Sequence, residues 1–347
     1  MDQYNYQYQP QGYMPYTPAP PAVSQEEKRA IKKQLSHTFI YALLHGVLSF
    51  GIAQIFYLIL MGTGYEVRYT DDGTTIVDWM YSLCGSMPSI ILCITLFFIN
   101  IGGQRESLSG YLRTDKAKGG FIAPFILVVM FSYGVSLILQ LLAISGFELI
   151  DLSPIAEEYM TEPELTPPYL VQELLTTVVL APIAEELMFR GVVMGRIAKV
   201  SRRAAIFISA AFFGMMHGNL LQTILGFVVG IVFAYADLEA ESLIPSIIGH
   251  MFINATATVS TFVEYFAGED ISETVWTVMI ILYLFIGLIV FLILLFGRKI
   301  KLPEYTEYHR KRMPIMFTCI SLWLVLAYYI GDIILTFGPM TDKLRGE

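Results

Sequence analysis

"LAPIAEELMFRGVVMG", Leu180 to Gly195, decides the fold. Its apolar residues suit the middle of a membrane-spanning helix, yet Glu185, Glu186 and Arg190 lie inside it. Each charge at the centre of such a helix costs roughly 2.5–3.5 kcal/mol, so the three together cost on the order of 8–10 kcal/mol unless something offsets them. Residues four apart share a helix face, which sets Glu186 against Arg190 in the favourable order. Glu185 is turned about 100° away by the 3.6-residue repeat and needs a partner from elsewhere in the chain.

The rest of the chain fits a membrane setting. Hydrophobic residues make up 55% of 347 and charged residues 15%, against about 45–50% and about 25% in soluble proteins. A helix needs about 20 apolar residues to cross a hydrocarbon core about 30 Å thick. On that rule nine spans are expected, near 37–62, 80–102, 121–146, 169–197, 203–217, 220–237, 242–265, 273–297 and 314–338. The expected fold is an all-α, polytopic transmembrane helix bundle, with an eight-helix core and a ninth span at the C-terminal end. The fifth and sixth spans are short, and "HGNLL" between them reads as a tight reversal. Residues 1–27, rich in Tyr, Gln and Pro, are expected to be a disordered cytoplasmic tail. The bundle then occupies 28–297, and 298–347 holds a basic loop, the last span and a short tail. Cys84, Cys93 and Cys319 all lie in apolar stretches and read as packing residues rather than a disulfide framework. No block of like charge suggests nucleic acid as a partner.

Lysine and arginine near span ends stay in the cytoplasm. Basic clusters precede span one (Lys28, Arg29, Lys32, Lys33) and follow spans two, four and eight, whereas the loops between them are mostly acidic. The expected topology has the N-terminus inside and, with nine spans, the C-terminus outside.

Two further polar groups answer Glu185. Span five carries His217 near its end, and span seven reads "PSIIGHMFINAT", where His250 and Asn254 share a face. At about 1.5 Å per residue, Glu185 lies about 16 Å, His217 about 20 Å and His250 about 12 Å from the cytoplasmic ends of their spans. All fall in the middle third of the membrane, which predicts a shared water-filled cavity. A carboxylate beside a histidine in a dry site can take a proton from water, and a histidine with an amide NH₂ on one face can stabilise an oxyanion. Alternatively, Glu185, Glu186, His217 and His250 are candidates to hold zinc, and the sequence leaves both chemistries open. His45, Asn100 and Asp332 lack partners at helical spacing and read as structural or pore-lining; Glu264 reads as solvated.

At these residues the chain resembles the CAAX prenyl protease and bacteriocin-processing (CPBP) family of intramembrane endopeptidases. Its EExxxR, FxxxH and HxxxN motifs appear as Glu185-Glu186-Leu187-Met188-Phe189-Arg190, Phe213-Gly214-Met215-Met216-His217 and His250-Met251-Phe252-Ile253-Asn254. The match spans about 169–265, which the resemblance makes the core of an intramembrane protease bundle. It implies a bundle of about eight helices with a cavity open toward the cytoplasm and the membrane. It also implies that Glu185 and His217 activate water, that His250 and Asn254 stabilise the oxyanion, and that Glu186 and Arg190 support them. A peptide or lipidated protein would be the substrate, with membrane lipids as the surroundings. The family's metal dependence leaves zinc open, with a metal-free glutamate mechanism favoured. A non-catalytic membrane adaptor or bacteriocin-immunity protein is the alternative on the same scaffold.

Overall fold

The computed structural model describes residues 23–70, 74–148, 161–297, 303 and 306–335. Most of the expected tail (1–22), part of the basic loop and the C-terminal residues 336–347 lie outside the described residues. The first helix, α1, runs Gln25–Gly62 and starts where the Ser24 side chain accepts from Glu27 N–H, so ordered chain begins inside the segment expected to be tail. Then come α2 (Trp79–Gln104), the short α3 (Leu108–Tyr111) and α4 (Gly119–Glu148).

The fourth apolar stretch forms one unbroken helical run over 167–198, α5, of uneven pitch. It comprises Pro167–Glu173, π-helical Leu174–Leu180, Ala181–Glu186, π-helical Leu187–Met194 and Gly195–Ala198. It is followed by α6 (Arg202–Met215), α7 (Leu220–Ala240), α8 (Ile244–Ala267), α9 (Glu269–Phe296), α10 (Glu307–Met316) and α11 (Ile320–Leu335).

The chain is mostly helical, a polytopic bundle in which, of the nine expected spans, the fifth is short as expected while the sixth, expected short, is the 21-residue α7. Six described helices are long and apolar enough to cross a membrane, or seven if α10 and α11, bent by 67°, form one broken span. Three expected spans take other forms for separate reasons. The α5 run is interrupted by its π turns. The 14 residues of α6 reach only about 21 Å. The α10–α11 pair is broken, with Pro314 in the last turns of α10.

A departure from the all-α expectation lies in the two acidic loops. Arg68–Tyr69, Thr75–Val77 and Thr161–Pro163 form a three-stranded sheet, β1 antiparallel to β2 and β2 parallel to β3. Arg68 donates to both Glu164 oxygens, fastening the first loop to the segment entering α5.

The core gathers around α5, with α1, α2, α6 and α8 packed on it. The α6–α7 hairpin is the tightest pairing. A Cβ on Gly226 would lie 2.7 Å from the Gly214 Cα, so only glycines permit the approach. The reversal between the two helices is made by Gly218, at φ +72, and by Asn219, whose side chain caps α7. That reversal places His217 just beyond the end of α6.

Candidate active site

The site is built on the middle of α5, where every residue from Ala184 to Met194 is buried. Glu186 and Arg190 are both almost fully enclosed, with Arg190 Nε 3.2 Å from Glu186 Oε2. Among the described residues the guanidinium nitrogens find no hydrogen-bond partner; charge and ring faces hold the group instead. Its carbon stands 4.2 Å from the centroid of Phe213 and 5.7 Å from that of Phe233, at cation–π range. Cation and carboxylate thus offset much of each other's burial cost.

The second Glu186 oxygen faces α8. His250 Nδ1 lies 3.0 Å from Glu186 Oε1. A carboxylate only accepts, so Nδ1 carries the proton and donates. The ring's other nitrogen, Nε2, then faces Glu185 Oε2 at 3.8 Å. That is too long for a hydrogen bond, and Glu185 Oε2 is buried without a partner among the described residues. His250 therefore stands between the two adjacent glutamates, hydrogen-bonded to Glu186 and facing Glu185.

His217 is prepared differently. Its Nδ1 lies 3.0 Å from Phe213 O and 3.3 Å from Gly214 O. Both are acceptors, so the proton sits on Nδ1 and the Nε2 lone pair is left free. Glu185 is within electrostatic range of His217, but the two are not in ion-pair contact. Phe213 spaces the histidines: it meets His217 edge-on at 5.5 Å, His250 at 5.3 Å and Phe189 at 5.8 Å.

Asn254 is oriented by a defect in α5. Ala181 N–H bonds to Thr176 O in the wider π pattern, and the next residue, Pro182, has no N–H to give. Thr177 O is thereby left without its helical donor. Asn254 Nδ2 donates to it at 2.7 Å, leaving one amide hydrogen for other use. Single π turns recur at functional sites, and here Pro182 accounts for one. Pro182 stood in the sequence as a signal for this opening.

Three residues read from sequence as structural have definite surroundings. His45 on α1 is buried, 3.0 Å from Ser89 Oγ and edge-on to Phe189 at 5.8 Å. Asn100 accepts from Arg196 at 2.5 Å. Asp332 on α11 reaches over the turn at Gly218, where an added Cβ would come within 2.9 Å of Oδ2. Asp237, the last residue of the expected span 220–237, is a buried carboxylate near the end of α7.

Among the described residues, no three His, Cys, Asp or Glu side chains are grouped to hold a metal ion. Glu186 is turned to Arg190 and His250, and His217 stands off behind Phe213. The donor set does not fit a zinc centre. Beside the site, where α2 and α5 begin, an apolar groove of about 650 Å³ is lined by Trp79, Leu83, Val171, Leu175, Thr176 and Leu180 among others.

Fold and site together define a multi-pass helical membrane protein with a buried acid–imidazole centre. A family model described as Type II CAAX prenyl endopeptidase Rce1-like matches residues 167–256, and an Rce1-like CAAX protease domain therefore occupies that segment. The segment holds all three motifs and every residue of the centre from Glu185 to Asn254. No curated protein and no solved structure matches the chain.

Proposed function

We propose that this protein is an intramembrane endopeptidase that hydrolyses membrane-associated or prenylated, CAAX-type peptides with a water activated by Glu185 and His217. The observation that carries the reading is the placement of His250, 3.0 Å from Glu186 and 3.8 Å from Glu185. It brings an acid pair and an imidazole from distant parts of the chain together inside the bundle.

In this scheme the unpartnered carboxylate of Glu185 takes one proton of a water as its oxygen adds to the scissile carbonyl, while Nε2 of His217 accepts a hydrogen bond from the water's other O–H and orients it. The carbonyl oxygen becomes negative and is met by Asn254 and His250. Because Nδ1–H of His250 is committed to Glu186, donation from Nε2 requires a proton on both ring nitrogens, and the two glutamates are the anions that face such a cation. The proton taken from water then passes to the leaving amine. Glu186 and Arg190 hold α5 and α8 in register. No step uses a metal, so cleavage should survive chelators such as EDTA within about twofold, against the loss expected of a zinc site.

The basic clusters support a cytoplasmic N-terminus. An odd number of crossings, with α10–α11 as the last, puts the C-terminus outside.

The test compares membrane proteomes of cells carrying wild type or Glu185→Ala, together with cleavage of a farnesylated Cys-a-a-X reporter peptide by the two purified proteins. Products whose new C-termini depend on Glu185 are expected, with a 10²- to 10⁴-fold loss of cleavage in the variant. Equal cleavage by both proteins, or equal rescue of a cellular phenotype by Glu185→Gln, would favour the non-catalytic adaptor.

A further inference from the structure

We propose that Asp237 on α7 is a positioning residue for the hydrolytic centre, holding α8 so that His250 stays seated between Glu185 and Glu186. The inference rests on the endopeptidase reading and adds a residue that none of the three motifs contains.

Asp237 is a carboxylate only 2% exposed, two residues before the exposed Glu239. Burying a carboxylate so close to water needs a reason. Its Oδ1 accepts the backbone N–H of Ser246 at 2.9 Å. Ser246 lies in the first turn of α8, where helical N–H groups have no partner inside the helix. The residue flanking this helix, Leu243, offers no capping side chain, and Pro245 offers no N–H. Ser242 Oγ accepts from Ile244 N–H at 3.2 Å, and Asp237 supplies from α7 the partner for the next free donor of that turn, Ser246 N–H.

The anchored residue is in line with the chemistry. Ser246, His250 and Asn254 are spaced by four and share one face. The Ser246 hydroxyl donates to Leu243 O at 3.1 Å, closing the first turn of α8, and Asp237 lies within electrostatic range of Glu186 and Arg190. Of these acids, Glu186 is the one in ion-pair contact with Arg190. A slip of α8 of the order of 1 Å would move His250 and Asn254 together, and misplacement on that scale can cost about 10²-fold in rate.

The test uses full-length protein in lipid nanodiscs as wild type, Asp237→Ala, Asp237→Asn and Glu185→Ala. Hydrogen exchange over residues 244–250 is read beside kcat and KM on the farnesylated reporter peptide. Asp237→Ala should speed exchange in that stretch at least tenfold, with α4 and α9 unchanged, and lower kcat about tenfold or more with KM held within about twofold. Asparagine keeps the accepting oxygen, so Asp237→Asn should restore both readouts to within about twofold. Unchanged exchange in Asp237→Ala, exchange that rises through every helix, or an asparagine variant no better than alanine would each overturn the proposal. Glu185→Ala should lose cleavage while exchanging like wild type. If the wild type leaves the peptide uncut, the endopeptidase reading fails while the exchange result still decides the role of Asp237.

Discussion

The α5 run and α9 cross the bundle over similar lengths and are built for opposite surroundings. In α9 the long apolar body meets lipid, and only Ser272 and Gly287 are buried. In α5 the central residues are wholly enclosed and carry two acids and a base. Lipid tolerates no unpaired charge, so α9 has none beyond its first turns. Protein tolerates charge where it supplies partners, and α5 receives them from α6, α7 and α8 in the form of the Phe213 and Phe233 rings and the His250 imidazole. A charge-bearing apolar segment thus marks the helix that touches lipid least.

Mutations at matched depths in the two helices sharpen this contrast. The largest effect should be chemical: Glu185→Gln removes the proposed base and should lower kcat by 10²- to 10⁴-fold at unchanged thermal stability. Next come Arg190→Ala and Glu186→Ala, each leaving an uncompensated buried charge and expected to cost about 3–5 kcal/mol in unfolding measurements. The reverse change, Leu288→Arg on the exposed face of α9, should cost about 2.5–3.5 kcal/mol on a membrane-insertion assay. An α5 indifferent to loss of its charges, or an α9 indifferent to gaining one, would break the contrast.

Pro182→Ala probes how α5 differs internally. The new N–H can bond within the helix, competing with Asn254 for Thr177 O. The expected outcome is a kcat reduced about tenfold with stability unchanged or raised. The smallest effect should come from the sheet outside the bundle, where a hydrogen bond and the charge of Arg68 hold the Glu164 carboxyl below the usual glutamate range. A lowered folded-state value means that the contribution is full at neutral pH and fades as pH falls below about 4.3 through the lowered value. The melting-temperature difference between wild type and Glu164→Gln should therefore be present at pH 7 and vanish in acid.

The interaction most legible in the sequence was the pairing of Glu186 with Arg190, because a spacing of four fixes a shared face whatever surrounds the helix. Glu185's lack of a partner within its own helix followed from the same geometry. That His250 would reach both glutamates was not legible. Spacing sets which residues share a face of α8 but not which way that face points, and only packing against α5 decides the rotation. Asp237 was hidden for a related reason, since it ends the expected span and its neighbours Glu239 and Glu241 are exposed. The short sheet has strands of two and three residues, too brief for alternation to register. The shortness of α6 was legible, because the polar reversal at His217 to Asn219 ends its apolar run.

The convergence of carboxylate and imidazole can be measured most directly by ¹³C–¹⁵N dipolar recoupling on the full chain in nanodiscs, with labelled glutamate carboxyls and histidine rings. A protonated His250 Nδ1 with a carboxylate oxygen at 3.0 Å should give a strong contact that disappears in both His250→Ala and Glu186→Ala. A spectrum in which no histidine ring contacts a glutamate carboxyl, or in which that contact survives both substitutions, would contradict the shared site.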